Sequence, residues 1–359
     1  MRLSSPRILI AGASVAALAA AGGVAVAATG DAPSKPAAKV AAASADSQVV
    51  VYQPKETAKQ VQSYWTAARI KSAKPVKVLN VEAPSVAEAQ AEASALAAPA
   101  FEGAPSLPEV GGKSGSASAQ NLASAQAVVE ARVWKKHGTA PARTLGKLYF
   151  DVPGGRGSCS ATVITAKNKR SLWTAGHCVH AGKGGGWYRN FAFFPDYPAK
   201  KVAWSVDNVV ALNPWIRNSD KRYDIAAVTV RRKGGKGIQS TNGSQGYSFG
   251  YKKRKYSMYS FGYPADRLPG GKRYANNNLL RYCQGKTYAV NYGGGHIALG
   301  MSCTMGHGAS GGSWIYGLNR KGYGRIAGLN SMHSLSTKAM YSPYHGSQAV
   351  AVYKAISKR

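Results

Sequence analysis

Two short motifs in this chain can do nucleophilic chemistry only together. Ser310 stands in Gly308-Ala309-Ser310-Gly311-Gly312, and His177 stands far upstream in Thr174-Ala175-Gly176-His177-Cys178. A serine hydroxyl is a weak nucleophile near neutral pH, so it needs an imidazole to take its proton. It also needs glycines that let backbone N–H groups face a substrate oxygen, and Gly308 and Ser310 are the expected oxyanion donors. A third group must fix the imidazole's tautomer. Asp224, in Arg222-Tyr223-Asp224-Ile225-Ala226-Ala227-Val228, is the best placed carboxylate.

Chain order discriminates between the reactions these residues could run. Gly308-x-Ser310-x-Gly312 also fits the nucleophile elbow of α/β-hydrolases, but that triad needs an acid after the serine. The last carboxylate side chain here is Asp266. Subtilisin order would need an acid before His177, where Asp151 is the only candidate in the presumed catalytic region. The order His177, Asp224, Ser310 is that of chymotrypsin-like proteases. Asp220 competes with Asp224 for the acid's role, but Lys221-Arg222 follow it and mark a solvated turn, whereas Asp224 leads into small apolar residues that can bury it. Asp151, Asp196, Asp207 and Asp266 lie in turns and read as structural.

Leu172-Trp173-Thr174-Ala175-Gly176-His177-Cys178 and Gly306-His307-Gly308-Ala309-Ser310-Gly311-Gly312-Ser313-Trp314 resemble the His and Ser motifs of secreted bacterial trypsin-like peptidases, including the glutamyl endopeptidase branch. The resemblance spans roughly residues 145 to 355. It implies an all-β, chymotrypsin-like fold of two antiparallel six-stranded β-barrels, with His177 and Asp224 from the first and Ser310 from the second. It implies disulfides Cys159–Cys178 and Cys283–Cys303, one of three pairings that four cysteines allow. A substrate pocket lined by Thr304, Met305 and Gly306 on one side and Asn330, Ser331, Met332 and His333 on the other follows from the same resemblance. Where trypsin has an Asp just before its serine, this chain has Ala309, so activation through that buried ion pair is not expected.

The elements that must position these residues begin near Thr144, because short strand-like runs recur from there between Gly, Pro and Asn turns with almost no helical period. They include Ser160 to Ala166, Ser171 to Ala175, Asn190 to Phe194, Asp224 to Val230, Tyr256 to Tyr263, Tyr288 to Tyr292, Ile297 to Met301, Gly312 to Tyr316 and Arg325 to Met332. The exception is Ser347 to Lys358, a C-terminal helix capped by Ser347, with Val350, Tyr353 and Ile356 on the face that packs against a barrel.

What precedes is different material. Residues 1–28 carry Arg2 and Arg7, an apolar Ala/Gly/Val stretch and Ala25-Val26-Ala27, and read as a secretory signal peptide, with an uncleaved anchor as the alternative. Residues 29–140 read as a pro-region, low in complexity and mostly disordered from Val81 to Ala131, and 141–359 as the protease domain. Within the pro-region Val61, Tyr64, Trp65 and Ala68 recur at helical spacing over Thr57 to Lys74. That helix is either marginal and without a role, or a contact that covers the cleft or assists folding.

The formal charge is +32, and residues from 141 onward hold 33 Lys and Arg against six Asp. Such a field attracts anionic polymers or a cell envelope. The basic residues are scattered without a reader motif, so specific nucleic-acid binding is not expected. No Cys-x-x-Cys pair is present, so neither a metal nor a cofactor is expected. The expectation is a secreted, monomeric serine endopeptidase acting on peptides or proteins, without stable membrane insertion. The alternative is an inactive two-barrel protein that binds anionic polymers.

Overall fold

The computed structural model describes residues 48–82, 99–109, 127–199, 202–250, 256–291 and 297–359. The expected signal peptide, residues 1–28, lies outside them, as do 83–98 and 110–126 of the stretch read as disordered. Among the described residues no helix is long and apolar enough to cross a membrane.

The first half closes on itself. Strands Trp204–Leu212, Ala226–Val230, Ser171–Thr174, Gly155–Val163, Leu145–Val152 and Arg189–Pro195 pair in that order, and Arg189–Pro195 pairs back onto Trp204–Leu212, giving a six-stranded antiparallel barrel. Period-two side chains explain its inside and outside. Leu148 and Phe150 join one buried core, while their neighbours Leu145 and Tyr149 face a second; Phe191 and Phe193 alternate with Ala192 and Phe194 in the same way.

The second half is a seven-stranded and a five-stranded sheet around a core of Met258, Cys283, Met301, Trp314 and Met340. The chain passes from one sheet to the other between Arg281–Lys286 and Tyr288–Asn291. Both expected disulfides are formed, Cys159–Cys178 in the first half and Cys283–Cys303 in the second.

The C-terminal helix, Ser347–Ser357, buries Ala349, Val352, Tyr353 and Ile356 in the first barrel's core. Its N-cap is Gly346, with no side-chain cap bond, so Ser347 is the first helical residue rather than the cap.

The described part of the stretch before residue 141 belongs to the same compact unit as the barrels. Val49–Tyr52 adds an edge strand to Trp204–Leu212, Phe101–Gly103 adds to Gly246–Phe249, and Val128–Val133 adds to Arg281–Lys286. The helix expected over Thr57 to Lys74 forms as two, Ala58–Tyr64 and Ala67–Ser72, each started by a threonine whose hydroxyl accepts an N–H three residues on. The break lets Trp65 turn inward, 5% exposed, against Tyr149, with its Nε1 donating to the Asn190 carbonyl at 2.6 Å.

Candidate active site

His177 lies in a single 3-10 turn, Gly176–Cys178, directly after the strand Ser171–Thr174. Asp224 lies one residue before Ile225, where the chain enters the neighbouring strand Ala226–Val230. Pairing of those two strands, with Ala226 opposite Thr174, brings the two side chains together. Asp224 Oδ2 meets His177 Nδ1 at 2.7 Å, and Oδ1 accepts the backbone N–H of His177 at 2.6 Å. Ser331 Oγ donates to Asp224 Oδ2 at 2.5 Å. The carboxylate is 0% exposed, so these three donors replace the water it loses. Gly176 permits the approach, since a Cβ there would stand 2.9 Å from Asp224 Oδ1.

Ser310 lies on a tight turn between the sheets. The Gly311 N–H donates to the Asn330 carbonyl, and the Asn330 N–H donates back to Gly312. Asn330 then closes the turn from behind: its Nδ2 donates to the carbonyls of Phe261 and Ala309, and its Oδ1 accepts from Ser260 Oγ and Trp314 Nε1. Gly308 has φ of 90° and Gly311 of 78°, a left-handed region that glycine occupies without penalty. At Gly311 space excludes anything larger too, because a Cβ would collide with Thr174 Oγ1 and the Ser160 carbonyl. That collision is also the measure of how tightly the serine turn is pressed against the strand that ends at His177.

The two atoms expected to react are not hydrogen-bonded to one another. Ser310 Oγ and His177 Nε2 are buried and have no hydrogen-bond partner among the described residues. An imidazole fixed at Nδ1 by a carboxylate, with its other nitrogen uncommitted, is set to take a proton through Nε2.

The other expected site residues are also placed. Thr304 Oγ1 accepts the Ala131 N–H, and Met305 is fully buried in the second core. His333 is buried, with Nε2 3.1 Å from the Cys303 carbonyl and Nδ1 at the Ser334 carbonyl; desolvation lowers its pKa. The Asn330 and Ser331 side chains are occupied by the internal bonds above. Asp151, the acid a subtilisin order would use, accepts instead from Tyr64 OH and Asn190 Nδ2. Asp220 caps the turn Lys221–Tyr223 and pairs with Arg222 at the surface. Cys159, Cys178 and His177 cluster, but both sulfurs are in the disulfide and offer no thiolate to a metal.

Two residues were not legible as site residues. Ser160 bonds the Ser310 turn from the first barrel, donating its N–H to the Ser310 carbonyl at 2.7 Å; its only sequence signal is that it follows Cys159. Asp266, in the short strand Asp266–Arg267, holds His307, next to the serine motif, with 2.8 Å bonds to its N–H and to Nδ1.

Neither a family model nor a curated protein matches this chain. Solved structures do. A thermostable serine protease, AL20, from an extremophilic microorganism is 30% identical with a TM-score of 0.54, and the match covers 60% of this chain and 98% of that one. The protease Anisep from Arthrobacter nicotinovorans is 29% identical with a TM-score of 0.54, over 62% of this chain and 99% of that one. With a closed six-stranded barrel, a second all-β half and two disulfides in place, the chain belongs to the trypsin-like serine peptidases of the chymotrypsin fold.

Proposed function

We propose that this protein is a secreted serine endopeptidase that cleaves peptide bonds through His177, Asp224 and Ser310. The observation that carries the reading is a fully buried Asp224 holding both the backbone and the ring of His177, while His177 Nε2 and Ser310 Oγ stay uncommitted. His177 takes the proton of Ser310 as the hydroxyl oxygen attacks the carbonyl carbon. It then gives a proton to the leaving amine, and water releases the acyl group by the reverse proton path. Asp224 stabilises the imidazolium in both halves. The N–H groups of Gly308 and Ser310 receive the developing oxyanion, each worth about 3 kcal/mol at such a site.

Thr304, Met305, Asn330, Ser331 and His333 are proposed to shape the substrate site. For the residues whose side chains are already bonded internally, this leaves mainly backbone groups to meet a peptide. Peptides or proteins are the substrates, with no cofactor or metal. Export is supported by two disulfides, which persist in oxidising compartments.

A fluorophosphonate, incubated with the full chain to completion, tests the assignment. It should mark Ser310, and Ser310→Ala should lose both label and proteolysis; a label that survives the substitution overturns it.

The excess of 33 basic over six acidic residues favours a second reading, retention on anionic envelope polymers. Polymer binding should fall steeply with added salt while cleavage of a small neutral peptide does not; salt-independent binding removes that reading.

A further inference from the structure

Residues 74–81 cross the site from one barrel to the other. Lys74 and Pro75 pair in parallel with Gly157 and Ser158, beside the disulfide that ties Cys159 to His177's neighbour. The Val76 N–H donates to the Ser158 carbonyl at 3.0 Å, and the Val76 carbonyl accepts the N–H of Gly308 at 3.0 Å. Pro75 lies against Gly308, its Cβ 3.0 Å from where a Cβ on that glycine would stand. Three residues later Leu79 and Asn80 pair in parallel with Met332 and His333. The N–H groups of Leu79 and Val81 donate to the carbonyls of Ser331 and His333, each at 3.2 Å, and Lys221 Nζ holds the Asn80 carbonyl at 3.1 Å. Val78 and Val81 are buried by this arrangement.

This strand occupies groups that the proposed reaction needs. The Gly308 N–H, an oxyanion donor in that reading, is already spent on an uncharged carbonyl, and the backbone edges on both sides of Ser310 are already paired. Ser310 Oγ and His177 Nε2 are buried and have no hydrogen-bond partner among the described residues. The strand is also tethered. Directly before it, helices Ala58–Tyr64 and Ala67–Ser72 are pinned to the first barrel by buried Val61 and Trp65, so it acts at the high effective concentration of an intramolecular ligand.

We infer that residues 74–81 are a built-in plug that keeps the full chain latent by taking up the Gly308 donor and both strand edges, a regulation that rests on the serine-peptidase reading above.

The full chain, Leu79→Pro/Val81→Pro and Ser310→Ala test this by the rate of fluorophosphonate labelling. Proline removes the two N–H donors to Ser331 and His333, and labelling should become at least about tenfold faster, the effect of losing two backbone bonds and their pairing. Equal rates in the full chain and the proline variant overturn the plug and leave the peptidase reading standing. No labelling of either chain, with cooperative unfolding intact, overturns both. If the proline variant does not fold, hydrogen exchange on the Ser310→Ala chain decides: amides of Val76, Leu79 and Val81 as slow as barrel strands support the plug, and exchange as fast as an exposed loop refutes it.

Discussion

Ser160, on a strand of the first barrel, donates its backbone N–H to the carbonyl of Ser310 at 2.7 Å. Its hydroxyl donates to the Gly308 carbonyl at 3.0 Å and accepts the Tyr263 N–H at 2.9 Å, and its own carbonyl accepts from Thr174 Oγ1 at 3.0 Å. One buried residue thus brackets the Ser310 turn and joins it to the strand that precedes His177.

Ser160→Ala should therefore act on chemistry as well as stability. It leaves the Tyr263 N–H and the Gly308 carbonyl buried without their hydroxyl, a cost of about 2 kcal/mol in unfolding free energy. Because Gly308 carries a proposed oxyanion donor, kcat should fall more than KM rises. Denaturant titration and steady-state kinetics on a small peptide separate the two effects, and an unchanged kcat would remove Ser160 from the positioning of Ser310.

Ser331→Ala removes one of three donors to Asp224 and leaves the backbone of residue 331 in place. The expected loss is about tenfold in kcat, ~1.4 kcal/mol, with KM nearly constant. Asp224→Asn should be far worse, about 10^4-fold, since an amide selects the wrong imidazole tautomer. Similar losses for both would mean that the carboxylate acts as one hydrogen-bond partner among several.

The two disulfides close loops of nearly equal length, with separations of 19 and 20 residues. Replacing either pair by alanines should cost about 3 kcal/mol through the unfolded chain. Only the Cys159–Cys178 pair adjoins His177 and Ser160, so only its loss should also depress kcat. Thermal unfolding paired with activity measured well below each midpoint distinguishes these outcomes.

His345 gives the stability a pH dependence. It is fully buried, Trp173 Nε1 donates to its Nε2 at 3.0 Å, and its Nδ1 faces the Pro343 carbonyl, so the neutral ring fits the site. Burial lowers its pKa from 6.5 to about 4. Between those values the unfolded chain binds the proton and the folded chain does not. Stability from this group is therefore full above pH about 6.5 and is lost as pH falls toward about 4, roughly 3 kcal/mol in all. In a Ser310→Ala background, which avoids self-digestion, His345→Gln should keep an acceptor for Trp173 and flatten this slope between pH 4 and 7. An unchanged slope assigns it to other groups.

The strand-like runs from Ser160 onward were legible because period-two apolar residues between turn formers are a local property. The runs expected from Ser171, Asn190, Tyr256 and Ile297 all contain strands. Trp204–Leu212 escaped notice because Asp207 and Asn208 interrupt its pattern. The fold places a register shift there, and Asp207 is satisfied by Arg170 and Thr229. The edge strands Val49–Tyr52, Phe101–Gly103 and Val128–Val133 carry β-branched or aromatic residues, but they are short and lie in or beside Ala-, Ser- and Pro-rich sequence, so only the partner strands they join reveal them.

By itself the sequence determined which residue types could react and in what order, because His177, Asp224 and Ser310 are set by chemistry that tolerates few substitutes. It also determined that the chain must be mostly short strands. Tertiary structure alone decided what surrounds them: that Ser160 clamps the Ser310 turn, that Ser331 turns its hydroxyl to Asp224, and that Val76 reaches Gly308. Those are backbone and hydroxyl bonds between residues far apart in the chain. Nearly any residue can offer a carbonyl or an N–H, so no side-chain pattern announces where they will meet.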